Sequence, residues 1–525
     1  MLAEIGLASK FLYSTLGITL FTGAFTMINN YKNKPDILAK NSIKDFGELK
    51  SLMGDDGLRI SKNICLKEKF DFEGICLMGS TGSYKTSTLF LNNLLNDKLR
   101  GSFVVTDPKG ELFELTSGYQ RNVCGRKVYK IDFTNTDYSE NYNLLANCKD
   151  SEEVIQLAGN LLLNGALSVE LASGKKAGGV EWIQMAEPLL ASVLLYVKDL
   201  EKPFNTIEFA LQLILNLDGE QLKGLIDNCG NLDALTQYNI FLTVGGADRT
   251  EGSIKITLAT NMKLFTTRNV NKISIDTTFN IEKFREEESI LYVIYPERKS
   301  SYLAPFIAPF FSQIIDKLLD CYAKNSLRIR LLFDEFGNIG MLSNMSVNSA
   351  TVRSRNINIT ACLQSITQLY QVYGQDASKT ILNNLKTKII LPGMSDVDTL
   401  KYMSSLCGLQ EINTQSVSKA DSKQSTTFAK SKKNIFEDGE LRTLEDFTAL
   451  IVTGNKMPVL DEIEPYFLTD LANNVLKPVK YEKAKSLFFD IRNEIQKIKE
   501  MSIQNNIELE VKNDKAEAIT RRIFG

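Results

Sequence analysis

The sequence predicts an α/β protein: a parallel sheet with helices on both faces, interrupted by an all-helical insertion and preceded by an apolar N-terminal helix. Three observations predict it. Short β-branched apolar runs recur from about residue 72 onward, each ending in a polar or glycine-rich turn. Between about 150 and 285 that texture gives way to helical spacing. One apolar run, ending at Met78, passes through MGSTGSYKTST into a helical pattern, the strand–loop–helix order that a phosphate-binding loop needs.

In chain order, residues 11–31 (FLYSTLGITLFTGAFTMINNY) carry no charge and are long enough to span a bilayer, though Ser, Thr and Gly dilute the run. Lys32, Lys34, Lys40 and Lys44 follow it, against Glu4 and Lys10 before it, which favours a body on the cytoplasmic side. No small-residue cleavage site follows, which argues against a signal peptide. A buried N-terminal helix is the competing reading. The strand runs are EGICLM (around 74–79), SFVVT (102–106), KVYKIDF (127–133), SILYVIYP (289–296), IRLLFDE (329–335), INITACLQ (357–364), TKIILPG (387–393) and TALIVTG (448–454). Patterns such as VEWIQMAEPLLASVLLYVKDL and NTIEFALQLILNL fill the helical stretch. Residues 411–434, rich in Ser, Thr and Lys, read as a mobile loop. The expected division is an anchor over 1–35, with a single span at 11–31, an α/β domain in two parts (36–150 and 286–475), a helical insertion over 151–285, and a charged tail over 476–525 with a helical pattern near its start.

Composition excludes several chemistries. The chain of 525 residues has no histidine, which removes Ser/His/Asp triads, Cys/His dyads and every His-ligated zinc site. Its eight cysteines are scattered without a C-x-x-C, a pattern of reduced, packed thiols. A net charge of −2 provides no global field for nucleic acid, so any such contact is local, on a loop, groove or ring lumen.

The remaining chemistry gathers at strand ends. In the loop Gly79, Ser80, Thr81, Gly82, Ser83, Tyr84, Lys85, Thr86 and Ser87, the glycines let backbone N–H groups curl around phosphate oxygens. Lys85 is placed to reach the β- and γ-phosphates and the Thr86 hydroxyl to ligate Mg²⁺. Tyr84 stands where a glycine is usual and restricts the backbone there; a small, polar helix entry has the same composition. RIRLLFDEFGN delivers Asp334 and Glu335 at a strand end, Asp334 to hold Mg²⁺ and Glu335 to polarise an attacking water. An acidic strand-end turn looks the same in isolation, but after a phosphate loop the pair points to ATP. VVTDPKGEL places Asp107 and Lys109 after another strand, where an ordinary turn is an equal reading. Gln364 ends ACLQ, either as a γ-phosphate sensor or as a polar terminus. Arg353 and Arg355, in ATVRSRNIN, fit either a solvated helix end or an arginine finger entering a neighbouring subunit's site.

Taken together, TGSYKTS, VVTDPKGELFELTSGYQR, YNLL, LLFDEFGNIG and SRNINITACLQSITQLYQVYG resemble the type IV secretion coupling proteins, over roughly residues 45–150 and 285–470. That resemblance implies a RecA-like P-loop NTPase domain with an inserted all-α domain and an N-terminal membrane anchor. It implies a hexameric ATPase, with ATP and Mg²⁺, in the bacterial cell membrane with its body in the cytoplasm. Its partners would be single-stranded DNA, a relaxase or relaxosome, and the type IV secretion channel proteins. Carried over by position, Lys85 and Thr86 are the phosphate-loop pair, Asp334 and Glu335 the metal and water pair, Gln364 the strand-end glutamine, and Arg353 the finger. The family usually has two transmembrane helices, whereas this sequence offers at most one. Tyr84 also departs from the usual glycine and puts the rate of hydrolysis in doubt. Two other functions compete: a nucleotide-binding docking platform with little or no turnover, and a septal DNA translocase, which DPKGEL and the helical insertion disfavour.

Overall fold

The computed structural model describes residues 46–483 and 491–500, apart from 175–179, 246–247, 421–422 and 492. The expected span at 11–31 lies outside the described residues.

A nine-stranded sheet organises the chain. Its strands are β1 (Ile75–Met78), β2 (Ser102–Asp107), β3 (Lys127–Asp132), β4 (Ser289–Ile294), β5 (Ile329–Phe333), β6 (Ile357–Leu363), β7 (Thr387–Ile390), β10 (Thr448–Thr453) and β11 (Val459–Glu462). Two further strands, β8 (Leu409–Ala420) and β9 (Lys423–Asn434), pair with each other and, among the described residues, with no other strand. The sheet order is β11-β10-β7-β1-β6-β5-β2-β4-β3. From β7 to β3 every neighbouring pair is parallel. β10 returns antiparallel to β7, and β11 antiparallel to β10. The eight apolar runs of the sequence are all strands, but the last of them, TALIVT, reverses direction.

The central strands are near-continuous apolar runs because both of their faces are covered. In β1, Cys76 and Met78 belong to one core and Ile75 and Leu77 to the other. The first core continues from the sheet through Phe310 to Leu161, Leu190 and Phe209 in the helical stretch. The second holds Phe90, Val105 and Ile389 on the opposite face. β5 carries one charge inward: Arg330 is fully buried and pairs with Asp71 at 3.0 Å, the kind of partner a buried guanidinium requires. All eight cysteines are free thiols.

Helix α1 (Glu111–Asn122) follows β2. Between β3 and β4 the chain is mostly helical: α2 (Ser151–Ser173), α3 (Val180–Lys198), α4 (Ile207–Asn216), α5 (Gly219–Asp227), α6 (Leu232–Gly245), α7 (Asp248–Asn261) and a short helix, Arg268–Ser274. Their starts are set by side-chain caps. Asp150 accepts from the Glu153 N–H, Thr206 from the Phe209 N–H, and Asp218 forms a reciprocal box with Gln221. By length and composition α2 and α3 could cross a membrane, yet 50% of each apolar window is buried inside the fold. They pack on each other, and α2 packs on α8 (Ser300–Asp320), the crossover from β4 to β5.

One expectation is corrected. Residues 411–434 belong to a hairpin rather than a loop, with β8 and β9 in register from Leu409 opposite Asn434 to Ala420 opposite Lys423. Backbone bonds pair the two strands, without the alternating apolar pattern that would announce a strand in the sequence. The start of the charged tail is a packed strap. The Val479 N–H donates to the Ser117 hydroxyl at 3.1 Å, and the Tyr481 hydroxyl to the Val128 carbonyl at 2.9 Å. Where the strap crosses α1 there is room for glycine only: a Cβ on Gly118 would lie 2.1 Å from the Lys477 carbonyl oxygen. Residues 493–500 are helical, in agreement with the pattern near the start of the tail.

Candidate functional site

Four neighbouring strands, β1, β6, β5 and β2, end side by side, and their carboxyl ends carry the residues singled out above except Arg353 and Arg355. In open α/β sheets this edge is where ligands bind.

The loop begins as β1 ends, with the Gly79 N–H donating to the Leu363 carbonyl at 3.1 Å. Ser80 to Ser83 then form a turn in which Gly82 has φ +83°, a conformation that costs glycine nothing. Lys85 is 6% exposed and folds back over the loop. Its ammonium donates to the Gly79 carbonyl (2.8 Å) and the Ser80 carbonyl (3.2 Å), and lies 3.5 Å from Glu335 Oε1. The helix that follows opens with a π-helical turn, Thr86–Phe90, and continues as Leu91–Leu94. Such turns recur at functional sites.

Across the loop, the Thr86 hydroxyl donates to Asp334 Oδ2 at 2.7 Å. Asp334 Oδ1 is buried and has no hydrogen-bond partner among the described residues. Burial pushes the Asp334 carboxyl up to about 6, while the Thr86 bond and the Lys85 charge pull the other way. A buried carboxylate with one unused oxygen, beside a threonine hydroxyl, fits a hard divalent cation. Among the described residues no cluster of His, Cys, Asp and Glu could cage a metal. A cation here would therefore depend on Thr86, Asp334, water and ligand oxygens. Glu335 sits in the left-handed region (φ +60°), which turns its carboxylate away from the line of β5. Gln364, at the end of β6, donates to Glu335 Oε2 at 3.0 Å and is itself held by Gln368. Lys85, Thr86, Asp334, Glu335 and Gln364 thus form one connected cluster.

Asp107 has a different job from the cluster. Its carboxylate accepts from the Phe113 N–H at 2.8 Å and caps α1, with Gly110 at φ +74° completing the turn. Lys109 is exposed, 4.0 Å from Glu297. Arg353 lies at the opposite edge of the sheet, before β6 begins, and pairs with Glu73 at 2.6 Å. The length of β6 puts it roughly 20 Å from its own chain's phosphate loop. Arg355 rests over the Tyr322 ring.

Tyr84 adopts φ +62°, the left-handed conformation that the usual glycine would take freely. A non-glycine residue there costs about 1–2 kcal/mol. Its ring stacks on Phe447, centroids 5.4 Å apart at 23°, and meets the edge of Phe467 at 6.2 Å. Aromatic contacts of this kind return about 0.5–1.5 kcal/mol each. The tyrosine therefore keeps a glycine-like backbone rather than distorting it. Phe447 and Phe467 were invisible to sequence reasoning, since neither belongs to a motif and each is more than 350 residues from Tyr84.

The family described as "Type IV secretory system Conjugative DNA transfer" matches residues 30–491. Protein VirD4 of Rhizobium radiobacter is 22% identical over 341 residues, 61% of this chain and 46% of VirD4. Protein VirD4 of Agrobacterium fabrum is 22% identical over 326 residues, 59% of this chain and 46% of its own length. The chain thus matches about half the length of these curated relatives. Among solved structures, the bacterial conjugative coupling protein TrwB in an unbound form aligns with a TM-score of 0.61 at 17% identity, covering 81% of this chain and 92% of TrwB. TrwB in complex with ADP and Mg²⁺ aligns with a TM-score of 0.58 at 14% identity, covering 85% of this chain and 95% of that one. The likeness is one of fold: the α/β sheet and helical stretch described above are arranged as in TrwB.

Proposed function

Because the chain belongs to the type IV secretory system conjugative DNA transfer family, we propose that it is an ATP-driven coupling protein that recruits a relaxase–DNA complex and moves single-stranded DNA toward the secretion channel. The observation that carries the enzymatic part is the connected cluster of Lys85, Thr86, Asp334, Glu335 and Gln364 at the ends of adjacent strands. The loop backbone from Gly79 to Ser87 would receive the phosphates of ATP. Lys85 would exchange its contacts with the two carbonyls and Glu335 for β- and γ-phosphate oxygens. Thr86 and Asp334 would hold Mg²⁺, which supplies charge neutralisation on the transferring phosphoryl group. Glu335, released from Lys85 and steadied by Gln364, would orient the attacking water.

The wider arrangement is part of the same proposal. Residues 36–150 and 286–475 form one RecA-like motor body, 151–285 a helical domain that receives cargo, 476–525 a tail, and 1–35 a membrane anchor holding the body in the cytoplasm. A hexameric ring supports a role for Arg353, because a finger so far from its own loop can act only on a neighbour's.

Steady-state ATPase of the full chain, with and without single-stranded DNA, tests the proposal. DNA-stimulated turnover that falls at least about 100-fold in Lys85→Ala and Glu335→Gln is the expected result. A docking platform is the second reading, favoured by the direct contact of Lys85 with Glu335, which keeps both from phosphate and water. On that reading ATP binds, the parent does not turn over, and DNA changes nothing.

A further inference from the structure

Tyr84, Phe447 and Phe467 leave the three rings 46%, 40% and 49% exposed, although each touches another. Large aromatic surface left open on one spot of a protein calls for an occupant. Two of the three residues are held in the left-handed region, Tyr84 at φ +62° and Phe447 at φ +59°. Bulky residues persist there only where the surroundings over-determine them, and such places cluster at ligand clamps. Here the surroundings do so. The Tyr84 carbonyl accepts from the Thr88 N–H (2.9 Å), the Thr88 hydroxyl (2.7 Å) and the Ser87 hydroxyl (3.1 Å). The Phe447 carbonyl accepts from the Ile463 N–H at 2.7 Å, which ties the segment before β10 to the one after β11. Asn92, on the helix behind the loop, donates to the Glu464 carbonyl at 2.8 Å and fixes the approach to Phe467 against that same helix. Three distant segments are thus bolted around the loop so that their rings meet at its last residue before Lys85.

We infer that Tyr84, Phe447 and Phe467 form a stacking platform for the purine base of the nucleotide whose phosphates occupy the loop. The inference rests on the loop being a nucleotide site, as proposed above. Tyr84 is itself a loop residue, so whatever lies on its ring is within a ribose's reach of phosphates bound at Lys85 and Thr86. A free nucleotide meets that condition; a base of a threaded DNA strand would have to enter the phosphate site to do so. Stacking recognises the π-face and favours the larger purine ring system. The tyrosine that replaces glycine thereby contributes to affinity, and the platform separates nucleotides from bare polyphosphate.

Calorimetric titration of the full chain with ATP, CTP and inorganic tripolyphosphate, all with Mg²⁺, tests this in the parent and in Tyr84→Gly, Phe447→Gly and Phe467→Ala. The parent should bind ATP more tightly than CTP and CTP more tightly than tripolyphosphate. In Tyr84→Gly the preference for ATP over tripolyphosphate should shrink about tenfold or more, with tripolyphosphate bound as well as before or better. Phe467→Ala, on an exposed turn, should shrink it in the same direction. Retained tripolyphosphate binding shows that a variant's loop is intact. An unchanged preference in all three variants overturns the platform and leaves the phosphate site standing. Failure of the parent to bind either ATP or tripolyphosphate overturns both.

Discussion

Asp107 is a carboxylic acid held where a carboxylate is costly. It is 1% exposed, and burial pushes its carboxyl from the ordinary 3.8 up to about 7, against the pull of the N–H groups it caps. The folded protein therefore holds this proton more tightly than the unfolded chain does. Its contribution to stability is fully present below about pH 4 and is lost as pH rises through about 7. Asp107→Asn keeps an oxygen for the Phe113 N–H and removes the charge. The variant should gain on the parent in thermal scans from pH 4 to pH 7, and above that the gap should stay constant, on the order of 2–4 kcal/mol. A gap independent of pH would show that Asp107 takes up no proton on folding. Most of the site was legible in the sequence at this scale. Lys85, Asp334 and Gln364 each follow directly on a loop or strand end that the pattern marks. What the sequence hid was contact between distant positions: Glu335 with Gln364 and Lys85, and Tyr84 with two phenylalanines that no spacing rule connects to it.

Among elements, the strap over 476–483 is the least foreseeable. Its charge gives no sign of packing, while its fit depends on a glycine in α1 that sequence alone cannot explain. Gly118→Ala improves helix propensity by about 1 kcal/mol, but the new methyl meets backbone that has no side chain to rotate aside. The outcome expected is release of the strap, a net loss of about 1–3 kcal/mol in thermal unfolding, and new protease cleavage after residue 475. An unaltered cleavage pattern would show that the strap can shift and stay docked. The strands divide along the same line. Runs buried on both faces were legible because they are mostly β-branched and apolar, with only single polar residues such as Arg330 and Asn358 inside them. β11 is four residues at the sheet edge whose buried positions are a valine and an aspartate, and the β8–β9 hairpin is mostly polar with its few apolar residues scattered, so neither has a hydrophobic period to read. The reversal of β10 was hidden as well, since strand direction depends on connection lengths rather than composition.

For the whole molecule, the separation of Arg353 from its own phosphate loop leads to a test of the proposed ring. Arg353→Ala and Lys85→Ala should each abolish turnover alone. Mixed before assembly, they should recover part of it, because some interfaces then join an intact loop to an intact arginine. No recovery in mixtures shown to co-assemble would confine Arg353 to its pairing with Glu73. The order of the strands in the sheet has a further consequence, for biosynthesis. β1 carries the phosphate loop and is among the first strands made, yet its two partners are β6 and β7, which end at Leu363 and Ile390. At ribosomal rates of about 5–20 residues per second, β1 waits roughly 15–60 s for its second neighbour to be translated. Until β6 is made both edges of this apolar strand are open, and one stays open until β7 follows, which makes the strand a natural client for a chaperone. Nucleotide cannot hasten its closure, because the cradle of Lys85, Asp334 and Gln364 does not exist until β5 and β6 have been made.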